Sequence, residues 1–265
     1  MIFQAEGFSL SFRRYVGLVE QDEIAVLEGI SFGVAAGEVV ALIGSSGAGK
    51  SLLAHAIFGI LPDNAAMTGR LLLEGTVLDP ATRAACSGRR MALVPQSISH
   101  LDPMARCLTQ LRWAAQRSGA GADASVIEAT LRRHQLDLRA ARCFPHQLSG
   151  GMARRMMFAI ATLGDPGFIV ADEPTSGLDD DNSDTVLRHL RGMADRGKAI
   201  LLITHSLAEA LPFADRVVLM RDGRVAGIER PCDFAGEGGL LEGSYARSLW
   251  RALPENAFAA HATDA

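Results

Sequence analysis

The sequence predicts an α/β fold built around a parallel sheet, and three observations support this prediction. Glycine accounts for 27 of the 265 residues and aromatic residues for only 6%, a balance that suits α/β architecture better than a β-sandwich. An apolar, β-branched run at 38–43 leads into a glycine-rich loop and then into apolar residues at helical spacing over 52–60. Strand character returns at 168–171 and 199–203 with a helix at about 184–195 between them, the order of a parallel βαβ crossover.

The remaining segments complete the outline. The run at 71–77 predicts a hairpin edge, residues 91–94 predict a further strand, and residues 217–225 predict a final hairpin on the Asp222-Gly223 turn. From about 100 to 150 the chain becomes helical and more cationic, which indicates an inserted helical subdomain. Beyond Arg230 follows a tail, in which residues 261–265 look unanchored and one apolar helix face is formed by Tyr245, Leu249, Trp250 and Leu253.

Composition and charge exclude several classes of protein. The hydrophobic content of 48% is ample for a buried core, so overall disorder is not expected. A net charge of −4 and a pI near 6.0 give no general basic surface, and we expect no nucleic-acid partner. The four cysteines stand too far apart for a Cys-x-x-Cys pair and favour a reduced, cytosolic chain. Residues 1–10 lack the layout of a signal peptide, and no apolar stretch approaches the roughly 18 to 20 residues that span a bilayer, so any membrane role requires a partner.

The glycine-rich loop is the strongest chemical motif. It matches the phosphate-loop pattern in full and stands between a predicted strand and a predicted helix, as Gly44, Ser45, Ser46, Gly47, Ala48, Gly49, Lys50 and Ser51. Backbone N–H groups at the helix N-terminus bind phosphates, Lys50 neutralises the β- and γ-oxygens, and the Ser51 hydroxyl is a ligand for Mg²⁺. A dinucleotide-binding loop is excluded because Leu52 stands where its last glycine should be.

Two further motifs belong to the same chemistry. The strand at 168–171 ends in Asp172 and Glu173, which predicts two carboxylates at the carboxyl edge of the sheet beside the phosphate loop. There Asp172 can anchor Mg²⁺, directly or through a water, and Glu173 can orient the attacking water. The run Ser149-Gly150-Gly151 precedes a cationic helix and predicts a second helix terminus suited to an anion. If these two termini cannot meet within one chain, a head-to-tail dimer can bring them together across one nucleotide.

In this order the motifs resemble the nucleotide-binding subunit of an ATP-binding cassette (ABC) transporter. The resemblance covers roughly residues 1–230 and includes the phosphate loop, Gln96 after the strand at 91–94, the signature at 148–152, Asp172-Glu173, the run at 176–179, and His205 after the strand at 199–203. It implies a P-loop NTPase fold with a RecA-like core, an antiparallel β subdomain and a helical signature subdomain at about 100–155. The resemblance also implies that residues 231–265 form a family-type tail.

The resemblance also implies cofactors, partners and roles. ATP and Mg²⁺ are expected, in a sandwich dimer where each ATP lies between Lys50 of one subunit and Ser149-Gly150-Gly151 of the other. The roles implied are those of catalytic carboxylate for Glu173, γ-phosphate contact for His205, sensor of Mg²⁺, water and the permease for Gln96, and interface residue for Asp179. The adenine-stacking aromatic is assigned to Phe12 rather than Tyr15, and Met152 replaces the glutamine that usually ends the signature.

Finer features are similar to the peptide/nickel importer branch. Within that branch, this sequence looks most like the subunits of nickel or metal-chelate uptake systems. These features are the run at 59–62, Pro95-Gln96 with residues 101–103, and residues 144–152 with the helix at 156–160. The tail departs from the branch because Gly243-Ser244 replace His-Pro and Ala246 replaces Thr. Nickel, metal chelate and small peptide remain open as cargo.

The expected function is therefore that of an ATP-hydrolysing subunit of an importer, peripheral on the cytoplasmic face of the cell membrane. Two permease subunits, a second ATPase that is identical or different, and indirectly an extracytoplasmic binding protein are the expected partners. The alternative is a soluble ABC ATPase acting on nucleic acid or ribosomes, for which basic patches, coiled-coil insertions or a second cassette would be expected. A small GTPase is not favoured because the sequence has no Asn-Lys-x-Asp motif.

Overall fold

The structure, a computed structural model, describes residues 1–16, 20–121, 123–236 and 238–253, without the side chains of residues 15, 16, 20 and 21. The unanchored end predicted at 261–265 lies outside the described residues. The strands are β1 (Phe3–Val16), β2 (Glu20–Val34), β3 (Val39–Gly44), β4 (Ala65–Leu73), β5 (Thr76–Val77), β6 (Met91–Val94), β7 (Phe168–Asp172), β8 (Ala199–Thr204), β9 (Arg216–Arg221) and β10 (Arg224–Glu229). The helices are α1 (Lys50–Phe58), α2 (Pro80–Cys86), α3 (Cys107–Ser118), α4 (Ala124–Arg133), α5 (Leu138–Arg142), α6 (Gly150–Thr162), α7 (Asp180–Asp195), α8 (Leu207–Ala210) and α9 (Ser244–Arg251).

The central sheet has the strand order β10-β9-β3-β8-β7-β6. All neighbouring pairs from β9 to β6 are parallel, and β10 returns antiparallel to β9 through Asp222 and Gly223, which both have positive φ. The predicted α/β class and the predicted final hairpin are therefore confirmed. Helix α7 begins at Asp180, four residues before the predicted start, because Asp179 caps its first turn.

The parallel strands are short, apolar and buried on both faces. Alternate residues of β3 point to opposite sides, so Val40 and Leu42 pack toward the antiparallel sheet while Val39, Ala41 and Ile43 pack toward the helices. The first core also holds α1 and the stacked rings of Phe3 and Phe168, whose centroids are 4.8 Å apart. Burial on both faces fixes the register of the strands, and the register fixes where their ends lie.

A second sheet, with the order β2-β1-β4-β5, is antiparallel and covers the first core. The hairpin predicted at 71–77 is present as β4 and β5, but the two long strands β1 and β2 were not located from the sequence. Their pairing shifts register between Ala5 and Phe8 and again between Phe8 and Leu10, which breaks the alternation of apolar and polar residues. A search for strict alternation therefore misses them.

The inserted segment is helical, as its sequence predicts. Helices α3, α4 and α5 pack with α6 around a separate apolar core. Helix α6 contributes to two cores, since Met156 and Ala159 face the other inserted helices while Met157 and Phe158 face the parallel sheet. This helix therefore joins the inserted segment to the sheet.

The tail helix α9 packs on the helical side of the parallel sheet. Tyr245, Leu249, Trp250 and Leu253 all contact that core, which confirms the predicted apolar face. Trp250 meets Phe234 edge to face at 5.9 Å, and the Arg221 guanidinium lies over the Tyr245 ring at 5.3 Å.

Burial of His134 makes stability depend on pH. Desolvation, with His189, Arg133 and Arg196 nearby, lowers the pKa of His134 to about 3. In the unfolded chain the His134 imidazole takes up a proton near pH 6.5, whereas in the folded chain it stays neutral down to about pH 3. The free energy of unfolding is therefore highest above about pH 6.5 with respect to this group, and it falls as the pH drops toward 3. We expect a loss of roughly 2 kcal/mol from this group between pH 7 and pH 4.5.

Urea unfolding at the two pH values tests this expectation. His134→Gln should lower stability at pH 7 but show a smaller loss on acidification than the unsubstituted chain. His146→Gln, at an exposed histidine, is the control and should leave the pH dependence unchanged. An equal loss in the chain and in His134→Gln would contradict the assignment.

Candidate nucleotide-binding site

The carboxyl ends of β3, β8 and β7 meet at one edge of the parallel sheet. Ile43 pairs with Thr204, and Asp172 pairs with Ile203, so the three strands end at the same level. The residues that follow them, in the phosphate loop, at Glu173 and at His205, are therefore adjacent although far apart in the sequence.

The phosphate loop requires glycine at two positions for steric reasons. A Cβ at Gly44 would lie 2.3 Å from the Met220 carbonyl oxygen on the neighbouring strand. Gly49 precedes α1 with φ of +95°, and a Cβ there would lie 2.4 Å from a Leu27 methyl carbon. The loop can therefore pack closely against β9 and β2 and leave its backbone open to a ligand.

Lys50 is buried and bonded to its own loop. Its Nζ donates to the Gly44 carbonyl at 2.8 Å and to the Ser45 carbonyl at 3.1 Å. The ammonium group is thus held against the backbone of the loop, and Lys50 lines an open depression there.

Ser51 and Asp172 place a hydroxyl oxygen and a carboxylate oxygen side by side. The Ser51 hydroxyl donates to Asp172 Oδ1 at 3.2 Å. Burial raises the pKa of the Asp172 carboxyl, and the Ser51 hydrogen bond opposes that shift. A hydroxyl beside a buried carboxylate is a hard donor set, and these two residues fit Mg²⁺.

Glu173 is held in an uncommon backbone conformation beside His205. Its φ is +46°, in the left-handed region, which costs roughly 1–3 kcal/mol for a residue other than glycine. The backbone is fixed because the Glu173 N–H donates to the Ile203 carbonyl at 2.8 Å, and its carbonyl accepts from Ser176 at 3.1 Å. Glu173 Oε2 lies 2.8 Å from Nδ1 of His205. The turn therefore holds the carboxylate against a residue from the next strand.

One depression of about 430 Å³ collects most of the predicted site residues. Its lining comprises Ser46, Gly47, Ala48, Gly49, Lys50, Ser51, Leu52, Gln96, Glu173 and His205. Gly44 and Ser45 join it through the Lys50 hydrogen bonds, and Asp172 joins it through Ser51. The arrangement offers backbone N–H groups, a buried ammonium, a hydroxyl, two carboxylates and an imidazole in one place.

The signature residues and Asp179 do not line this depression. Ser149 caps α6 by accepting from the Met152 N–H at 3.3 Å, and Asp179 caps α7 by accepting from the Asn182 N–H at 2.9 Å. Gly150 lies with Gln96 at the edge of a neighbouring hollow. Within the described chain, these residues therefore do not share a pocket with the phosphate loop.

The position of Phe12 differs from that of the other predicted residues. It is partly buried on β1, where it packs against the core between the two sheets, and it is absent from the lining of the depression. The side chain of Tyr15 lies outside the described part of the chain. Met152 packs against the core of the inserted helices.

Arg154 was not singled out from the sequence as part of the site. It is 5% exposed, and its guanidinium donates to the Gln96 carbonyl at 2.5 Å and to the Ser176 carbonyl at 2.9 Å. Burial lowers its pKa, and its Nε has no hydrogen-bond partner among the described residues. Its spacing was the available signal, because the buried residues Met157 and Phe158 follow three and four positions later on α6.

No helix in the described ranges has the length and apolar character needed to cross a membrane.

Comparison with known proteins shows the family of this chain. The family model "ABC transporter" matches residues 27–176, more than half of the chain. The oligopeptide transport ATP-binding protein OppD of Mycobacterium tuberculosis is 36% identical over 84% of this chain, which spans 38% of that relative's length. A probable peptide ABC transporter ATP-binding protein of Sinorhizobium fredii is 31% identical over 89% of this chain and 73% of its own length.

Other relatives widen the comparison. A Nod factor export ATP-binding protein of Rhizobium etli is 33% identical over 80% of this chain and 66% of its own length. The solved structure of an ATP-binding subunit of an ABC transporter superposes with a TM-score of 0.73 at 29% identity, over 94% of this chain and 98% of that one. A bacterial ABC cassette solved with ADP and phosphate, at 24% identity and a TM-score of 0.73 over 86% of this chain and 98% of its own, shares the fold. The chain belongs to the ABC transporter family and has the fold of its ATP-binding domain.

Proposed function

We propose that this chain binds and hydrolyses ATP to power an ABC importer. The supporting observation is the depression in which the phosphate loop, Gln96, Glu173 and His205 meet. The phosphates of ATP are the ligand that a glycine loop at a helix N-terminus with a buried lysine fits best. A soluble ABC ATPase acting on nucleic acid is disfavoured by the net charge of −4.

In this proposal each polar group has a separate task. The loop N–H groups and Lys50 bind the phosphates, and Glu173 accepts a hydrogen bond from the attacking water. His205, held at 2.8 Å from Glu173, contacts the γ-phosphate. Ser51, Asp172 and Gln96 would hold Mg²⁺, which when bound neutralises charge on the phosphate oxygens.

Completion of the site requires a second ATPase subunit. Ser149, Gly150, Gly151 and Asp179 lie outside the depression of their own chain, which supports a dimer in which they face the nucleotide of the partner. Phe12 remains our proposal for the adenine-stacking ring, and an aromatic face suits that task. We also propose that residues 1–230 form the ATPase domain, with the helical subdomain at about 100–155, and that 231–265 form a tail.

Glu173→Gln tests the proposed catalytic carboxylate. The amide keeps the size of the side chain but is a far weaker base, so phosphate release should fall by roughly 10²- to 10⁴-fold while ATP binding persists. Phosphate release and binding of a fluorescent ATP analogue should be measured on the same preparation. Glu209→Gln, at an exposed glutamate on α8, is the matched control. Unchanged phosphate release in Glu173→Gln would refute the role.

Arg154 is proposed as a positioning residue for Gln96. Arg154→Gln removes the charged donor that joins the Gln96 and Ser176 carbonyls, and we expect kcat to fall by about tenfold while KM for ATP changes little. Arg154→Lys can reach one of the two carbonyls and should restore part of the rate. Arg139→Gln, at an exposed arginine on α5, is the control. A structural role alone would be indicated if the loss in kcat, expressed as a free energy, equals the loss in unfolding free energy and Arg154→Lys restores neither.

The cargo and partners are proposed from the resemblance and from the relatives. Relatives named for peptide and oligopeptide transport support a small peptide, while the signature motifs leave nickel or a metal chelate as the other cargo. We propose that two permease subunits hold the chain at the cytoplasmic face of the cell membrane, and that an extracytoplasmic binding protein delivers the cargo.

Uptake by cells that lack this chain distinguishes the cargoes. Labelled nickel, with and without a chelating ligand, is compared with a labelled small peptide, and each defect is complemented with the intact chain or with Lys50→Ala. We expect one uptake to be lost and to be restored only by the intact chain, because Lys50 is needed to bind ATP. Normal uptake of all three would refute the importer assignment.

A further inference from the structure

A second concave site lies on the other side of α6, between the inserted helices and α7. It is a cleft of about 310 Å³ and shares no lining residue with the depression at the phosphate loop. Its lining includes Arg133, His134, Arg155, Arg188 and His189. We refer to these residues as the α6–α7 cleft.

The α6–α7 cleft is positively charged. Arg133, Arg155 and Arg188 come from three different helix segments, and no lining residue is a carboxylate. Arg188 pairs with Asp184 at 2.6 Å and Arg133 lies 3.8 Å from Asp165, but both are exposed ion pairs of the kind that contribute little. Among the described residues, Arg155 donates only to backbone carbonyls, those of Gly151 and Gln135. These guanidinium groups can therefore turn to a ligand at small cost.

Two histidines form the floor of the cleft. Thr162 donates its hydroxyl hydrogen to the Phe158 carbonyl at 2.7 Å, so it accepts from His134 Nε2, 2.9 Å away. The His189 ring lies 4.7 Å from that of His134, and its buried Nε2 has no hydrogen-bond partner among the described residues. Burial and the nearby Arg133 and Arg196 lower the pKa of both histidines. This buried imidazole nitrogen is therefore a polar group to which a ligand can bond.

We propose that the α6–α7 cleft binds a small dianion of the phosphate type, free or as a monoester, through Arg133, Arg155, Arg188 and Nε2 of His189. Guanidinium groups that line one cleft from three segments match an ion with several acceptor oxygens better than a single carboxylate. The cleft volume also accommodates the organic part of a monoester.

Occupancy of the cleft should affect catalysis, an inference that rests on the proposed function. Helix α6 begins next to Ser149 and α7 begins next to Asp179, and both residues belong to the proposed partner-facing surface. A ligand bonded to Arg155 on one helix and Arg188 on the other fixes the angle between these helices. We therefore expect the ligand to change the ATPase rate.

Histidine-selective NMR of the full chain tests binding directly. The protein is titrated with inorganic phosphate and, separately, with phenyl phosphate, and the His134 and His189 resonances are assigned with single histidine variants. His205 lines the phosphate-loop depression, so its resonance reports ligand bound there instead. Benzylammonium, a ring with a cation, serves as the probe of opposite charge.

Saturable shifts of the His134 and His189 resonances, weakened at least tenfold in the double variant Arg133→Gln/Arg188→Gln, would support the site. Arg132→Gln is the matched control, because Arg132 is adjacent on α4 but points away to Glu128. A shift at His205 alone, equal shifts in the double variant, or equal shifts with benzylammonium would overturn the proposal.

The coupling to catalysis is measured with ATP at saturation. At a concentration that saturates the histidine shifts, the phosphate probe should change the ATPase rate of the unsubstituted chain and of Arg132→Gln, but not that of the double variant. An unchanged rate despite saturated shifts would overturn the coupling. The NMR titration needs no turnover, so its result stands even if the proposed ATPase function fails.

Discussion

The common end level of β3, β8 and β7 is the constraint on which the site depends. Each strand is buried on both faces, and a slip of one residue would exchange the side chains that face the two cores. With the register fixed, Ser51 reaches Asp172, and Glu173 reaches His205. Hydrophobic packing in the two cores thus sets distances within the site, so we expect a core substitution that shifts β7 against β8 to alter the site.

Helix α6 connects the inserted helices to the parallel sheet. Its residues enter both neighbouring cores, its first turn is capped by Ser149, and Arg154 ties it to the Gln96 and Ser176 carbonyls. A buried guanidinium without a described carboxylate partner is costly, which supports the proposed positioning role of Arg154 over a stabilising one. Because Arg154 on α6 bonds to both carbonyls, a shift of α6 would displace the backbone at Gln96 and at Ser176 together.

The sequence identified those parts of the site whose chemistry is local. The phosphate loop and the Asp172-Glu173 pair follow directly after apolar strands, so their place at the sheet edge could be inferred from the pattern alone. Arg154 could not be assigned in this way, because its acceptors are backbone carbonyls 58 and 22 residues away and a carbonyl has no identity in the sequence. Strands β1 and β2 were missed because their register shifts hide the alternation, and Phe12 could be chosen over Tyr15 only by resemblance. The α6–α7 cleft likewise arises from three segments that meet only in the folded chain.

Within one chain, the two groups of residues proposed to bind the nucleotide lie in different places. Ser149 and Asp179 already cap their own helices, so neither requires a further partner inside the subunit, and both lie outside the phosphate-loop depression. The first-turn N–H groups of α6 and the loop N–H groups of α1 can each bind phosphate, and one chain does not bring them into a single pocket. A second subunit turned by a two-fold axis would supply each missing half with no change to either fold. The distance across that interface would then depend on the orientation of α6, the helix that carries Arg154 and contributes Arg155 and Phe158 to the α6–α7 cleft.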